Sequence, residues 1–114
     1  MAVTEKVYLG TDNDIRWILK ENDVAQDQSS TTRIDIIVGG ITVTSTNQVS
    51  DPIRWAQGGY ATGEIRMSLG AENLRPGTHN NSPLMVYDAV NTNGIMWDAA
   101  KIIVYGRRGD GPNI

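Results

Sequence analysis

The sequence contains no cysteine, no phenylalanine and a single histidine. Without cysteine it has neither a disulfide framework nor a thiolate zinc site. Small secreted domains lean on disulfides, so this absence fits synthesis and assembly inside a cell. No apolar run approaches the length of a membrane-spanning helix, and the opening Met1-Ala-Val-Thr-Glu-Lys6 does not read as a signal peptide. Thirteen acidic residues against ten basic ones give a net charge of −3. That balance supplies no electrostatic footprint for nucleic acid or for an anionic membrane.

What is present points to sheet. A chain of 114 residues suits one domain, able to bury roughly two-thirds of its unfolded surface without staples. Spread charges and a mean hydropathy of −0.31 fit a folded domain rather than disorder. Twelve glycines favour turns over long helices, and Trp17, Trp55, Trp97 and four tyrosines carry the aromatic load.

Periodicity resolves the elements. Lys6 to Leu9 is extended and stops at Gly10. Ile15, Trp17 and Leu19 alternate with Arg16, Ile18 and Lys20, as on a half-buried strand. Glu21 to Ser30 is polar and predicts a loop, with room for a helical turn at Asp23 to Gln26. Thr31 to Val38 puts Ile34, Ile36 and Val38 on one face. Gly39-Gly40 then signals a tight hairpin into the β-branched Ile41 to Ser45. Pro52 introduces Ile53-Arg-Trp55, and a turn follows at Gln57-Gly-Gly-Tyr60. Ile65, Met67 and Leu69 point inward, with Glu64, Arg66 and Ser68 outward. Ala71 to Leu74 predicts one helical turn, stopped by Pro76-Gly77. Asn80 to Pro83 predicts a bulge or small loop, because proline cannot donate to a ladder. Leu84 to Ala89 and Ile95 to Val104 close the sheet through the turn Asn91-Thr-Asn-Gly94, with a break in the last strand at Ala99-Ala100 as one option.

About seven to nine short strands with one helical turn predict a single all-β sandwich over residues 1–106. An open barrel would expect fewer strands with longer alternation. Residues 107–114 lack apolar periodicity and read as a polar tail.

Several segments together resemble a known pattern: Tyr8-Leu-Gly-Thr-Asp12, Ile15-Arg-Trp-Ile-Leu-Lys20, Arg33-Ile-Asp-Ile36, Gly63-Glu-Ile-Arg-Met-Ser-Leu69, Pro76-Gly-Thr78, Leu84-Met-Val-Tyr-Asp88 and Asn93-Gly-Ile-Met-Trp97. In this order they are similar to the immunoglobulin-like domain of small phage virion proteins, such as that at the N-terminus of phage baseplate upper proteins. The resemblance spans Val7 to Tyr105 and implies an antiparallel immunoglobulin-like sandwich that serves as a building block of a particle. In that pattern Gly-Thr runs directly into an aromatic residue and a strand, whereas here His79-Asn-Asn-Ser-Pro83 intervenes. Baseplate upper proteins continue into further domains beyond the point matching Ile114, so their host-binding role is not expected to carry over.

Candidate sites are few. His79 has no nucleophile or orienting partner in its loop, and a surface histidine is the simpler reading. Asp12-Asn-Asp14, Asp51 and Asp110 offer oxygen ligands but lack the spacing of a Ca²⁺ loop, so turn-forming roles are expected and no metal or cofactor is. Trp55 and Tyr60, flanked by Arg54 and Gln57, could form a sugar-stacking platform, against a core role for Trp55. Trp17 and Trp97 alternate with aliphatic residues and are expected in the core. Arg108-Gly-Asp110 matches an integrin-binding tripeptide that recurs by chance. Arg107, Arg108 and Ile114 suit docking on a neighbouring subunit, against a free terminus. The break at His79 and Asn80 is a second place for a specific contact. Unpaired sheet edges are a third, by strand addition.

Three functions compete. The expected one is a virion structural protein made in the host cytoplasm: a head decoration, head–tail or tail/baseplate component assembling with other virion proteins and as a homo-oligomer. The alternative is a carbohydrate-binding module contacting host surface glycans through Trp55 and Tyr60. An enzyme is not expected, since Asp35, Glu64 and Asp88 fall on different predicted strands without a paired signature.

Overall fold

The computed structural model describes residues 4–12, 14–48, 50–55 and 63–106. Ten strands form within them: β1 Thr4–Tyr8, β2 Ile15–Ile18, β3 Lys20–Glu21, β4 Val24–Ala25, β5 Thr31–Val38, β6 Ile41–Ser45, β7 Ile53–Arg54, β8 Glu64–Met67, β9 Gly77–Asp88 and β10 Ile95–Tyr105. They build a five-stranded sheet ordered β1-β10-β9-β5-β6, a three-stranded sheet ordered β2-β8-β7, and the hairpin β3-β4. One buried cluster joins the two larger sheets, with Val7, Ile34, Ile36, Leu84, Ile102 and Val104 from one and Ile15, Trp17, Ile53, Ile65 and Met67 from the other. The fold is therefore the all-β sandwich that the alternation predicts.

With the small hairpin set aside, lettering the remaining strands in chain order turns the sheets into A-G-F-C-C′ and B-E-D. These are the strand neighbourhoods of an immunoglobulin-like sandwich, with the first strand joined to the last. One pairing departs from the antiparallel expectation. β1 runs parallel to β10, from Thr4 opposite Lys101 to Tyr8 opposite Tyr105, and the Leu9 N–H extends the ladder to the Tyr105 carbonyl at 3.0 Å.

Local chemistry explains most turns. Gly39 and Gly40 have φ of +57° and +82°, as a two-residue turn with both central residues left-handed requires. Glu21 to Ser30 is not all loop: β3 and β4 pair Lys20 with Ala25 and Glu21 with Val24. The turn between them is Asn22-Asp23, at φ of +52° and +64°, so Asp23 to Gln26 makes no helical turn. Asparagine and aspartate tolerate that region better than other side-chain-bearing residues. No helix occurs among the described residues. Ala71 to Leu74 instead follows a single turn in which the Glu72 N–H donates to the Leu69 carbonyl at 3.1 Å.

Asn80 to Pro83 does not leave the sheet. β9 is continuous, and an extra residue at Asn80-Asn81 faces Lys101, because Ala100 pairs with Ser82 while Ile102 pairs with His79. That is the bulge option of the prediction. Pairing of β9 with β5 ends at Leu84, so Pro83 sits just where no N–H is required on that side. β10 also runs unbroken through Ala99-Ala100, with its own extra residue at Trp97, between Met96 opposite Met85 and Asp98 opposite Leu84.

Candidate functional site

The five-stranded sheet has an inner and an outer face. Ile34, Ile36, Leu84, Val86, Ile102 and Val104 alternate inward and are buried. The intervening residues Arg33, Asp35 and Ile37, Pro83, Met85 and Tyr87, and Ile103 and Tyr105 therefore lie on the outer face. Only Arg33 among them is exposed, its side chain at 44%; Ile37, Pro83, Met85 and Ile103 are half-buried. The Tyr8 and Tyr105 rings stack with centroids 4.7 Å apart, and the Arg33 guanidinium lies 3.9 Å from the Tyr87 ring centre. Arg33 Nε also stands 3.3 Å from Asp35 Oδ1, and Asp35 is only 5% exposed. The outer face thus carries half-buried aliphatic and aromatic residues together with the cations of Arg33, Lys6 and Lys101.

The sheet ends differ in protection. β1 carries Glu5 and Lys6, and β2 carries Arg16, which pairs with Asp14 and Glu64 at 3.7 and 3.9 Å. β7 is two residues long and follows Pro52. β6 is five residues long and contains no charge, proline or glycine. The crossover from β6 to β7 is fixed by side chains. Ser45 Oγ accepts from the Ile53 N–H at 2.9 Å, Asn47 Oδ1 from the Trp55 N–H at 2.9 Å, and Asp51 Oδ2 from the Thr46 N–H at 2.8 Å.

A shallow groove of about 330 Å³ opens at one end of the sandwich, lined by Lys20 and Glu21 of β3 and by Ile95, Met96 and Trp97 of β10. Trp97 is only half-buried, unlike Trp17 and Trp55. It is the extra residue of the β10 bulge, and bulges re-aim side chains in this way. Its alternation with Ile95 predicted a core position; Trp97 does pack against the buried core cluster, but only as a half-buried residue at its margin.

The predicted site residues do not converge. Trp55 is 1% exposed, inside the core, and offers no open ring face to a sugar; its core reading is the one the structure supports. Tyr60, Arg107, Arg108, Asp110 and Ile114 lie outside the described residues. His79 is half-buried, its Nε2 2.8 Å from the Arg75 carbonyl and its ring under Gly39, while Asn80 is exposed at the β9 bulge. Asp51 caps the crossover and Asp88 caps the β9–β10 turn, its Oδ1 accepting from the Val90 and Asn91 N–H groups at 2.9 and 2.7 Å. These hydrogen bonds hold both carboxyls below the ordinary aspartate pKa, led by the Thr46 N–H at Asp51 and the Asn91 N–H at Asp88. Asp35, Glu64 and Asp88 each have separate local partners: Arg33, Arg16 with Arg66, and Asn91. Among the described residues no three histidine or acidic side chains come together as metal ligands, and no helix is long and apolar enough to cross a membrane.

No protein-family model and no curated protein matches the chain.

Proposed function

We propose that this chain is a structural protein of a bacteriophage particle, made in the host cytoplasm and acting by protein–protein assembly rather than by catalysis. Its place would be as a head decoration, head–tail or tail/baseplate component. The observation that carries the assembly reading is the outer face of the five-stranded sheet, which bears half-buried Ile37, Met85 and Ile103, with Tyr87 toward one end and the Tyr8–Tyr105 stack toward the other. Such a face on a rigid sandwich suits contact with neighbouring subunits, and symmetric repetition multiplies modest affinity. The virion setting rests on the resemblance of the strand motifs to phage virion proteins. Mass spectrometry of purified particles of the virus carrying this sequence tests it: the chain is expected at the stoichiometry of a repeated subunit, and its absence overturns the reading.

A second reading, contact with host-surface glycans, draws support from the groove at Trp97. There a half-buried indole stands beside an ammonium and a carboxylate, Lys20 and Glu21. A glycan array probed with the purified chain tests it, with binding lost in Trp97→Ala as the expected result. Silence across the array removes it.

A further inference from the structure

We infer that two copies of this chain pair through β6, antiparallel about a two-fold axis at Val43, so that their five-stranded sheets join into one continuous sheet. The inference names a self-contact within the assembly reading above, but its argument rests on the strand itself.

The first ground is exposure of an unprotected edge. Natural sheets guard their edges with charge, proline, bulges or very short strands. β1, β2 and β7 each carry one of these devices. β6 carries none, and its pairing with β5 is regular from Val38 opposite Ile41 to Ile34 opposite Ser45.

The second ground is the direction of its backbone groups. A two-residue turn makes the flanking pair, here Val38 and Ile41, the hydrogen-bonded one. Alternation then directs the N–H and C=O of Ile41, Val43 and Ser45 toward β5, and those of Thr42 and Thr44 outward. Beyond Ser45 the edge is closed, because the Thr46 N–H is held by Asp51 Oδ2 at 2.8 Å. Among the described residues, the donors and acceptors left open on this strand are those of Thr42 and Thr44, centred on Val43.

The third ground is the symmetry of the sequence about that centre. Ile41-Thr-Val-Thr-Ser45 reads almost the same in both directions around Val43. Antiparallel pairing about Val43 sets Thr42 of each copy opposite Thr44 of the other, so outward groups meet outward groups in reciprocal bonds. Val43 meets its own copy on the core face. This register alone pairs all five strand residues. A one-residue slip would match outward with inward groups and turn the side chains to the wrong face. Threonine pairs and β-branched pairs are favourable cross-strand neighbours. The contact is small beside the roughly 1,000 Å² of a stable interface, so the free chain pairs weakly and the bond counts through repetition.

The absence of native cysteine makes the register directly readable. In the full-length chain, Thr42→Cys and Thr44→Cys variants are prepared separately and oxidised alone and mixed. Because residue 42 faces residue 44 of the other copy, the mixture should give disulfide dimers at least about tenfold faster than either variant alone, since the direct pair is closer than the diagonal. Equal rates overturn the register. Thr44→Pro removes an outward N–H that β5 does not use, so it should keep the melting temperature within a few degrees while abolishing concentration-dependent association in sedimentation. Association unchanged in Thr44→Pro, or no association of the native chain up to millimolar concentration, overturns the pairing. If Thr44→Pro unfolds, the cysteine rates still decide. Cross-linking by a chain absent from particles would sink the virion setting and leave the pairing; a particle protein with equal cross-linking rates would do the reverse.

Discussion

Gly39 lies against the ring of His79: a methyl group built on Gly39 would stand 2.5 Å from His79 Cε1. The contact ties the tip of the β5–β6 hairpin to the first half of β9, beyond the point where β5 and β9 share a ladder. Gly39→Ala meets both a left-handed backbone and this ring. Gly40, also left-handed, has open space where a Cβ would go. Gly40→Ala should therefore cost about 1–2 kcal/mol from backbone strain alone, and Gly39→Ala distinctly more. Urea unfolding of both variants measures the difference. In a His79→Ala background the two costs should converge; a persistent gap would mean that the ring is not its source.

Trp55 anchors the core end of the crossover from β6. Its replacement by alanine should destabilise the fold by about 3–5 kcal/mol, the usual range for a large buried aromatic. Denaturant midpoints check this. A loss under 1 kcal/mol would contradict a side chain sealed in the core.

Acid should weaken the fold through Asp51 and Asp88. Both have folded-state pKa values below the ordinary aspartate value, so the unfolded chain binds protons more readily there. Their contribution is present above the unfolded pKa and is lost as pH falls through the lower folded values. Melting temperature should decline below about pH 4, and an Asp51→Asn, Asp88→Asn double variant should decline less steeply. Parallel profiles would locate the acid sensitivity elsewhere.

Deleting Arg107 to Ile114 should leave folding intact and weaken incorporation into particles, if those residues dock on a neighbour. Circular dichroism and particle composition read the two effects separately. Normal incorporation of the truncated chain makes the segment passive.

The strands whose alternation decides burial were legible. Ile15, Trp17 and Leu19, and Ile65, Met67 and Leu69, are buried as their spacing requires. The β3–β4 hairpin was not, because its strands are two residues long and its turn is Asn22-Asp23, without the glycine that signals such turns. Asp35 is a polar residue buried on the outer face between β6 and β9, opposite Thr44 and Met85; local pattern cannot see neighbours so distant in sequence. Trp97 illustrates the same limit. It packs against the core but stays half-buried at a single extra residue in β10, and extra residues are properties of a pairing rather than of a strand. The proposed edge contact was legible only in part: the β-branched run at β6 was plain, but its lateral position at the end of a sheet was not.

The parallel pairing of β1 with β10 has a kinetic meaning. A strand beginning at Thr4 takes its sheet partner from residues 101–105, in the last strand of the described residues. Contacts so distant in sequence must close a loop of nearly the whole domain before they are rewarded, and folds dominated by them form on the scale of milliseconds to seconds. During synthesis β1 leaves the ribosome long before β10 exists. Until then its place in the five-stranded sheet is empty, and the domain can complete itself only once nearly all of it has been made.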